Sequence, residues 1–138
     1  MKYDFNDIES AFHFVSSSSP EMNCAVLDRQ TGKIYYMGDA VDEEEEKVPA
    51  DVDDTKRYLA IPHKNDLELG RRLVFRFVYQ NMPDDFDMVQ GFFSHKGAYS
   101  NYKDWLSKTG KLEEWYKYEN DATDKALKEW CNENNLEI

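Results

Sequence analysis

The sequence has few cysteines and no long apolar run, and these two absences exclude several classes of protein. Only Cys24 and Cys131 are present among the 138 residues, and they form no CxxC pair. No disulfide framework is therefore expected, and both thiols are predicted to be reduced and largely buried. No segment approaches the roughly 18 apolar residues of a membrane span. The first residues contain acids rather than the apolar core of a signal peptide, so a cytoplasmic protein is expected.

Basic residues are also scarce. Lysine and arginine together number 17 against 28 acidic residues, which gives a formal net charge of −11. Non-specific binding to nucleic acids depends on basic residues that release counterions from the phosphates. Anionic membranes likewise attract basic segments. The composition therefore predicts neither a nucleic-acid partner nor a membrane partner.

Most of the negative charge lies in one segment, at about residues 39–54. It contains nine acidic residues against one lysine, and Asp42–Glu46 is an unbroken run of acids. Like charges repel and no apolar residue interrupts the run, so a solvated surface loop is predicted. A cation site, or an imitation of the charge of a nucleic acid, is the functional alternative.

The sequence also lacks the usual catalytic signatures. It contains no P-loop, no GxSxG, no dinucleotide-binding fingerprint and no HExxH. His13, His63 and His95 are isolated from one another, and each is predicted to be a surface or capping residue. We therefore assign no catalytic residue, metal or cofactor, and we predict that the protein has no catalytic activity of its own.

The chain does have ample material for a folded core. Its length of 138 residues fits one domain, and 41% of its residues are hydrophobic, including nine Tyr, eight Phe and three Trp. Residues 1–138 are therefore predicted to form a single domain with the acidic surface loop at about 39–54.

The first half of the sequence predicts one helix and three strands. Apolar residues recur at helical spacing from about Asn6 to Val15, with Asn6 as the cap. Two β-prone runs, Asn23–Leu27 and Lys33–Met37, flank a short loop in which Gly32 suits a positive φ. A third strand is predicted at 58–61.

The second half predicts mostly helices. One runs from about Lys64 to Asn81, the next begins at Pro83, and a further one ends at Gly110; Gly91 suggests a close approach between helices. The aromatic run Glu114–Tyr118 predicts a fourth strand, and the last helix runs from about residue 122 to 134. This order predicts an α+β fold, with a small antiparallel sheet of about four strands and a helical layer packed against it.

One turn in the second half is a candidate binding site. A glycine that opens a helix can present backbone N–H groups to an anion, and nearby lysines add positive charge. The candidate binding residues are His95, Lys96, Gly97, Tyr99 and Lys103. The structural alternative is a tight turn between packed helices, in which Gly97 is required for its conformation and the aromatic residue for the core.

Several pieces of the sequence, taken in order, resemble a bacterial family known as uncharacterised protein family 0158. These pieces are Leu27–Ile34, Leu59–Pro62, Lys96–Asp104, Trp115–Tyr116 and Glu129–Trp130. The match runs from about Val26 to Asn132. This chain departs from the family pattern at Ser100 and Asn101, where basic residues are expected in relatives, and in its acidic insert after Val41. The resemblance implies a fold and a bacterial origin but no function.

Two functional hypotheses follow. The first is a non-catalytic cytoplasmic binding or regulatory protein that acts through a protein partner, since no catalytic signature is present. The alternative is a small-anion sensor or enzyme with its site at the Gly97 turn. A pocket at this turn favours the alternative, whereas an open surface there favours a protein partner.

Overall fold

The structure is a computed structural model, and it describes residues 2–19, 22–38 and 48–138. Positions 39–47, which hold most of the predicted acidic loop, therefore lie outside the described residues. The chain divides into two compact units. The first comprises Met1–Leu67 with Leu127–Ile138, and the second comprises Glu68–Ala126. The single-domain organisation stays a prediction.

Helix α1 (Phe5–Ser16) begins the first unit. Its apolar face is buried as predicted, through Ile8, Ala11, Phe12 and Val15. The predicted cap is wrong, because Asp4 caps the helix and its carboxylate accepts a hydrogen bond of 2.8 Å from the N–H of Asn6. Asp is a strong N-cap, since its side-chain oxygen pairs an N–H that the first turn leaves unpaired.

The sheet of the first unit has three antiparallel strands in the order β2-β1-β3. They are β1 (Asn23–Asp28), β2 (Ile34–Gly38) and β3 (Tyr58–Ala60). The predicted hairpin joins β1 to β2, and Gly32 in its loop has a φ of +79°. Helix α1 packs against β1 and β2. Alternation along β1 buries Asn23 and Ala25 but leaves Cys24 exposed, so the prediction of two buried thiols is wrong for Cys24.

A buried ion pair holds the end of β1 to the residue before β3. Asp28 is 1% exposed, and its two carboxylate oxygens accept from Nε and Nη2 of Arg57 at 3.1 and 2.9 Å. One of these oxygens also accepts from the N–H of Gln30 in the hairpin loop. The hydrogen bonds from Arg57 lower the pKa of Asp28 from 3.8 to about 2, although burial opposes that shift.

The C-terminal residues bind the start of the chain and the hairpin loop. The N–H of Tyr3 donates to the carbonyl of Glu137 at 2.7 Å, and the hydroxyl of Tyr3 donates to the carbonyl of Arg29 at 2.6 Å. Arg29 in turn donates to the carbonyl of Asn134 at 3.0 Å. Three hydrogen bonds thus join segments that are far apart in sequence.

His63 is buried, so of the two roles predicted for it, a surface or a capping residue, the surface position is wrong. Its Nε2 lies 2.8 Å from the carbonyl oxygen of Ser18, and its Nδ1 accepts from the N–H of Asn65 at 3.0 Å. Both ring nitrogens therefore have partners, so the polar ring tolerates burial. His13 and His95 are exposed, as predicted.

Helix α2 (Arg71–Asn81) opens the second unit and begins later than predicted. The residues before it form turns because Asp66 accepts from the N–H of His63 and Glu68 has a φ of +57°. The apolar side chains that recur at helical spacing in this segment are all buried, and they are Leu69, Leu73, Val74, Phe77 and Val78. Glu68 and Arg72 are four residues apart and form an exposed ion pair at 2.9 Å.

A short 3₁₀ turn, Pro83–Asp85, leads into α3 (Phe86–Phe92). The close helix approach predicted at Gly91 is wrong, because Gly91 is exposed and a Cβ there would meet no heavy atom within 4 Å. Helix α4 (Ala98–Thr109) follows, and Gly110 ends it with a φ of +74°. That ending is as predicted, since glycine reaches the left-handed region without a Cβ clash.

The predicted fourth strand at Glu114–Tyr118 is wrong. These residues form the first half of α5 (Leu112–Glu133), the longest helix in the described part of the chain. Trp115 and Leu127 of this helix are fully buried, and Glu113 and Glu114 lie in its first turn, where acids favour a helix. The aromatic residues of this segment are therefore helical, although aromatic residues generally prefer strands. The α+β class is confirmed, with three strands among the described residues.

We predict that the Asp28 ion pair makes stability depend on acid pH. The pKa of Asp28 is lower in the folded protein, so its contribution is fully present above the unfolded value of 3.8 and is lost as pH falls towards 2. The substitution Asp28→Asn should lower the free energy of unfolding by about 1.5–3 kcal/mol at pH 7. Urea unfolding at pH 7, 4 and 2.5 measures this.

Exposed Asp53 provides the control, because Asp53→Asn should change stability by less than about 0.5 kcal/mol. The difference between Asp28→Asn and the unmodified protein should shrink as pH falls. A difference of the same size at pH 2.5 and pH 7 would contradict the account.

Candidate functional site

The Gly97 turn joins α3 to α4 through backbone hydrogen bonds. Phe93 follows the last residue of α3, and the N–H of His95 donates to the carbonyl of Phe92 at 3.3 Å. The hydroxyl of Ser94 donates to the carbonyl of Gly91 at 2.8 Å. These bonds hold the chain in a tight connection between the two helices.

Gly97 has a φ of +75° and caps α4. As a glycine it provides no side-chain hydrogen bond to cap the helix, and its carbonyl accepts from the N–H of Asn101 at 3.0 Å. A Cβ at Gly97 would meet no heavy atom within 4 Å, so the surface at the glycine is open. Glycine is therefore required at this position by its positive φ, and not by a lack of room for a side chain.

The structure brings together only some of the predicted binding residues. His95, Lys96 and Gly97 are exposed in the same turn. Lys103 lies further along α4, where its ammonium is 5.8 Å from the centre of the Tyr116 ring. The predicted small-anion site therefore stays a prediction, with Lys103 placed against an aromatic ring.

Tyr99 packs into the aromatic interior of the second unit. Its ring is half-buried and meets the Phe93 ring edge to face, with the centres 5.0 Å apart. Burial raises the pKa of the Tyr99 hydroxyl, and the negative charge of Glu119 adds to the effect. These contacts match the structural alternative for the turn, in which the aromatic residue serves the core.

Tyr102 and Trp115 lie deeper in the same aromatic cluster. Both side chains are fully buried, and their rings meet edge to face with centres 5.2 Å apart. The hydroxyl of Tyr102 and Nε1 of Trp115 have no hydrogen-bond partner among the described residues. Burial raises the pKa of the Tyr102 hydroxyl well above its usual range, so it is a neutral O–H at physiological pH.

Sequence reasoning missed a second surface, which we call the exposed α2 face. It consists of Arg72, Arg76 and Tyr79 on α2, together with Phe86 of α3. Tyr79 is 68% exposed, and its ring centre lies 6.0 Å from that of Phe86. The spacing of Arg72, Arg76 and Tyr79 by four and three residues places them on one side of the helix. This spacing is the feature of the sequence from which the exposed α2 face could be predicted.

Two functional features are absent from the part of the chain that the structure describes. No group of three or more histidine, cysteine, aspartate or glutamate side chains is arranged to hold a metal ion in residues 2–19, 22–38 and 48–138. Within the same ranges, no helix combines the length and the apolar character that crossing a membrane requires.

The sequence profile of Uncharacterised protein family (UPF0158) matches residues 10–138 of this chain. This match confirms the resemblance inferred from the sequence and extends it at both ends. Comparison with curated proteins and with solved structures gave no match.

We predict opposite effects of the same substitution at two open glycines of the second unit. Gly97→Ala should lower the free energy of unfolding by about 1–2 kcal/mol, because only a residue without a Cβ adopts a φ of +75° cheaply. Gly91→Ala should raise it by about 0.5–1 kcal/mol, because Gly91 lies inside a helix with space for a methyl group. Urea unfolding of both variants measures the two changes, and a shift of equal sign would refute the prediction.

Proposed function

Because the chain belongs to the uncharacterised family UPF0158, we propose its role from the geometry alone: a cytoplasmic, non-catalytic binding protein that acts through a protein partner. The exposed α2 face is the surface that we propose for the partner. The observation that carries this proposal is Tyr79, a large aromatic side chain that is 68% exposed.

The neighbours of Tyr79 support a binding role. Phe86 is half-buried beside it, and Phe75, one turn earlier on α2, is half-buried against Phe86 with ring centres 5.8 Å apart. Phe75 also meets the buried ring of Phe93 at 5.5 Å. The ring of Tyr79 therefore packs on Phe86, which is itself held by Phe75. Protein interfaces concentrate their binding energy in such aromatic anchors and in arginine.

The charges of the face favour an acidic partner. Helix α2 contains three arginines and no acidic residue. Arg72 pairs with exposed Glu68, whereas Arg76 forms no ion pair with the residues that the structure describes. Arginine binds carboxylates through two parallel N–H donors. A protein surface that combines an apolar pocket with aspartate or glutamate therefore suits this face.

The overall charge supports a protein over a nucleic acid. Acidic residues outnumber basic ones by 28 to 17, and the two or three arginines of this face would release few counterions from a phosphate backbone. The small-anion alternative at the Gly97 turn has less support. The surface there is open, and Lys103 is engaged with Tyr116.

Capture from a bacterial lysate tests the proposal with the immobilised protein as bait. Tyr79→Ala, alone and combined with Arg76→Glu, should each lose the partner at least tenfold, because truncating a hot-spot aromatic costs about 2 kcal/mol or more of binding. Both positions are exposed, so stability should change by only about 0.5 kcal/mol. Thermal unfolding of each bait verifies this.

Tyr116→Ala is the matched control, because Tyr116 is an exposed tyrosine on a different helix. It should retain the partner at the level of the unmodified protein. Retention of the same proteins by the unmodified protein and all three variants would refute the exposed α2 face as the binding surface. Capture of nucleic acid instead of protein would refute the partner class.

A further inference from the structure

Helix α3 contains a glycine that the packing of its own chain does not require. Gly91 lies inside the helix and is exposed, and a Cβ there would meet no heavy atom within 4 Å. Its φ is not positive. Glycine is less favourable than alanine within a helix, because it loses more conformational freedom on folding. What this glycine does provide is an open space on the helix surface.

Apolar side chains surround this open space. Met88, three residues before Gly91, is 43% exposed. Phe92 is half-buried, and its ring centre lies 6.3 Å from that of Trp105, a half-buried residue of α4. We call Met88, Gly91, Phe92 and Trp105 the α3 patch. Methionine and aromatic residues are enriched in the cores of protein interfaces, and the α3 patch has this composition.

The α3 patch is separate from the exposed α2 face. At about 100° per residue, Met88 lies roughly 160° around α3 from Phe86, which belongs to the exposed α2 face. The ring of Tyr79 lies beside Phe86, on that other side of α3. A role for the α3 patch therefore goes beyond the function proposed above, and its failure leaves that function untouched.

The α3 patch contains both a protruding side chain and an open space that fits it. Met88 and Gly91 are neighbours on the helix surface, because residues three apart in a helix lie side by side. If two α3 helices pack antiparallel about a two-fold axis between these positions, Met88 of each copy lies over Gly91 of the other. Such reciprocal contacts are what a two-fold interface between identical chains requires.

The charges along α3 favour the same antiparallel arrangement. Three aspartates lie at its start, namely Asp84, Asp85 and Asp87. Beyond its end, the basic side chains of His95 and Lys96 are exposed. An antiparallel second copy brings the acidic end of one helix beside the basic end of the other, whereas a parallel copy brings like charges together.

We propose that the α3 patch binds the α3 patch of a second copy of this chain, with the two α3 helices antiparallel. The second copy is identified by the fit of Met88 to the space over Gly91 and by the complementary charges at the two ends of the helix. A patch of four residues is smaller than the roughly 800 Å² per partner of a standard interface, so the dimer is weak and reversible.

Sedimentation velocity of the full chain tests the proposal at concentrations from about 10 µM to 1 mM, where weak dimers form. Salt at about 0.15 M limits the repulsion between two acidic copies, since it screens charges more than about 8 Å apart. The sedimentation coefficient should rise with concentration and fit an equilibrium between monomer and dimer. The same coefficient at every concentration would overturn the proposal.

Substitutions at Gly91 and Met88 separate the interface from the fold. Gly91→Leu fills the open space, so it should weaken the dimer about tenfold or more while thermal unfolding shows an equally or more stable chain. Met88→Ala removes the protruding side chain and should weaken the dimer about three- to ten-fold. Met22→Ala is the matched control, because Met22 is 53% exposed in the first unit. Equal association of all three variants would overturn the proposal.

An exchange of charges tests the antiparallel orientation. Asp87→Lys and Lys96→Asp should each weaken the dimer about two- to five-fold, the range expected for one exposed charge pair. The double variant restores opposite charges between the copies, so it should associate within about twofold of the unmodified protein. A double variant in which the two losses add would overturn the proposed arrangement.

Tyr79→Ala distinguishes the α3 patch from the exposed α2 face. Tyr79 is 68% exposed and lies outside the α3 patch, so its truncation should leave the dimer unchanged. Loss of the dimer in Tyr79→Ala but not in Met88→Ala would place the interface on the exposed α2 face and would overturn the proposal.

Discussion

The contact between the rings of Tyr102 and Trp115 is the interaction on which the second unit depends. It joins α4 to α5, and Phe93 and Phe77 extend it to α3 and α2 with ring centres 6.0 and 5.4 Å away. Burial of each large ring contributes about 4–6 kcal/mol, from 150–250 Å² at about 25 cal/mol per Å². The unpartnered hydroxyl and indole N–H oppose this by about 1–3 kcal/mol each. Packing therefore outweighs the loss of hydrogen bonds.

This contact also determines which side chains of α2 remain at the surface. Phe77 is buried against Trp115, so the opposite side of α2 presents Tyr79 and the arginines to solvent. The same burial leaves Tyr118 half-exposed, with its ring centre 6.3 Å from that of Trp115. The exposed α2 face thus follows from how the aromatic cluster orients α2. In the first unit, the ion pair of Asp28 and Arg57 has the corresponding role, since it ties the hairpin to the third strand.

Local patterns in the sequence predicted the elements whose cause is local. The apolar spacing of α1, the hairpin around Gly32 and the helix end at Gly110 all depend on neighbouring residues, and all are present. The aromatic run around Trp115 predicts a strand because aromatic residues favour strands, and only its tertiary packing shows that it follows the helical period. The late start of α2 depends on the positive φ of Glu68, which composition does not indicate. The turn at Gly97 lies between two helices as the sequence predicts, whereas the exposed α2 face depends on α2 and α3 together.

A double-mutant cycle on Tyr102 and Trp115 tests the central claim most directly. The unfolding free energies of Tyr102→Leu, Trp115→Leu and the double variant are compared with that of the unmodified protein, by urea denaturation. If the two rings stabilise the second unit through their mutual contact, each single change should cost several kcal/mol and the coupling energy should be about 0.5–1.5 kcal/mol. Single effects that add to the effect of the double variant, with a coupling energy near zero, would contradict the account.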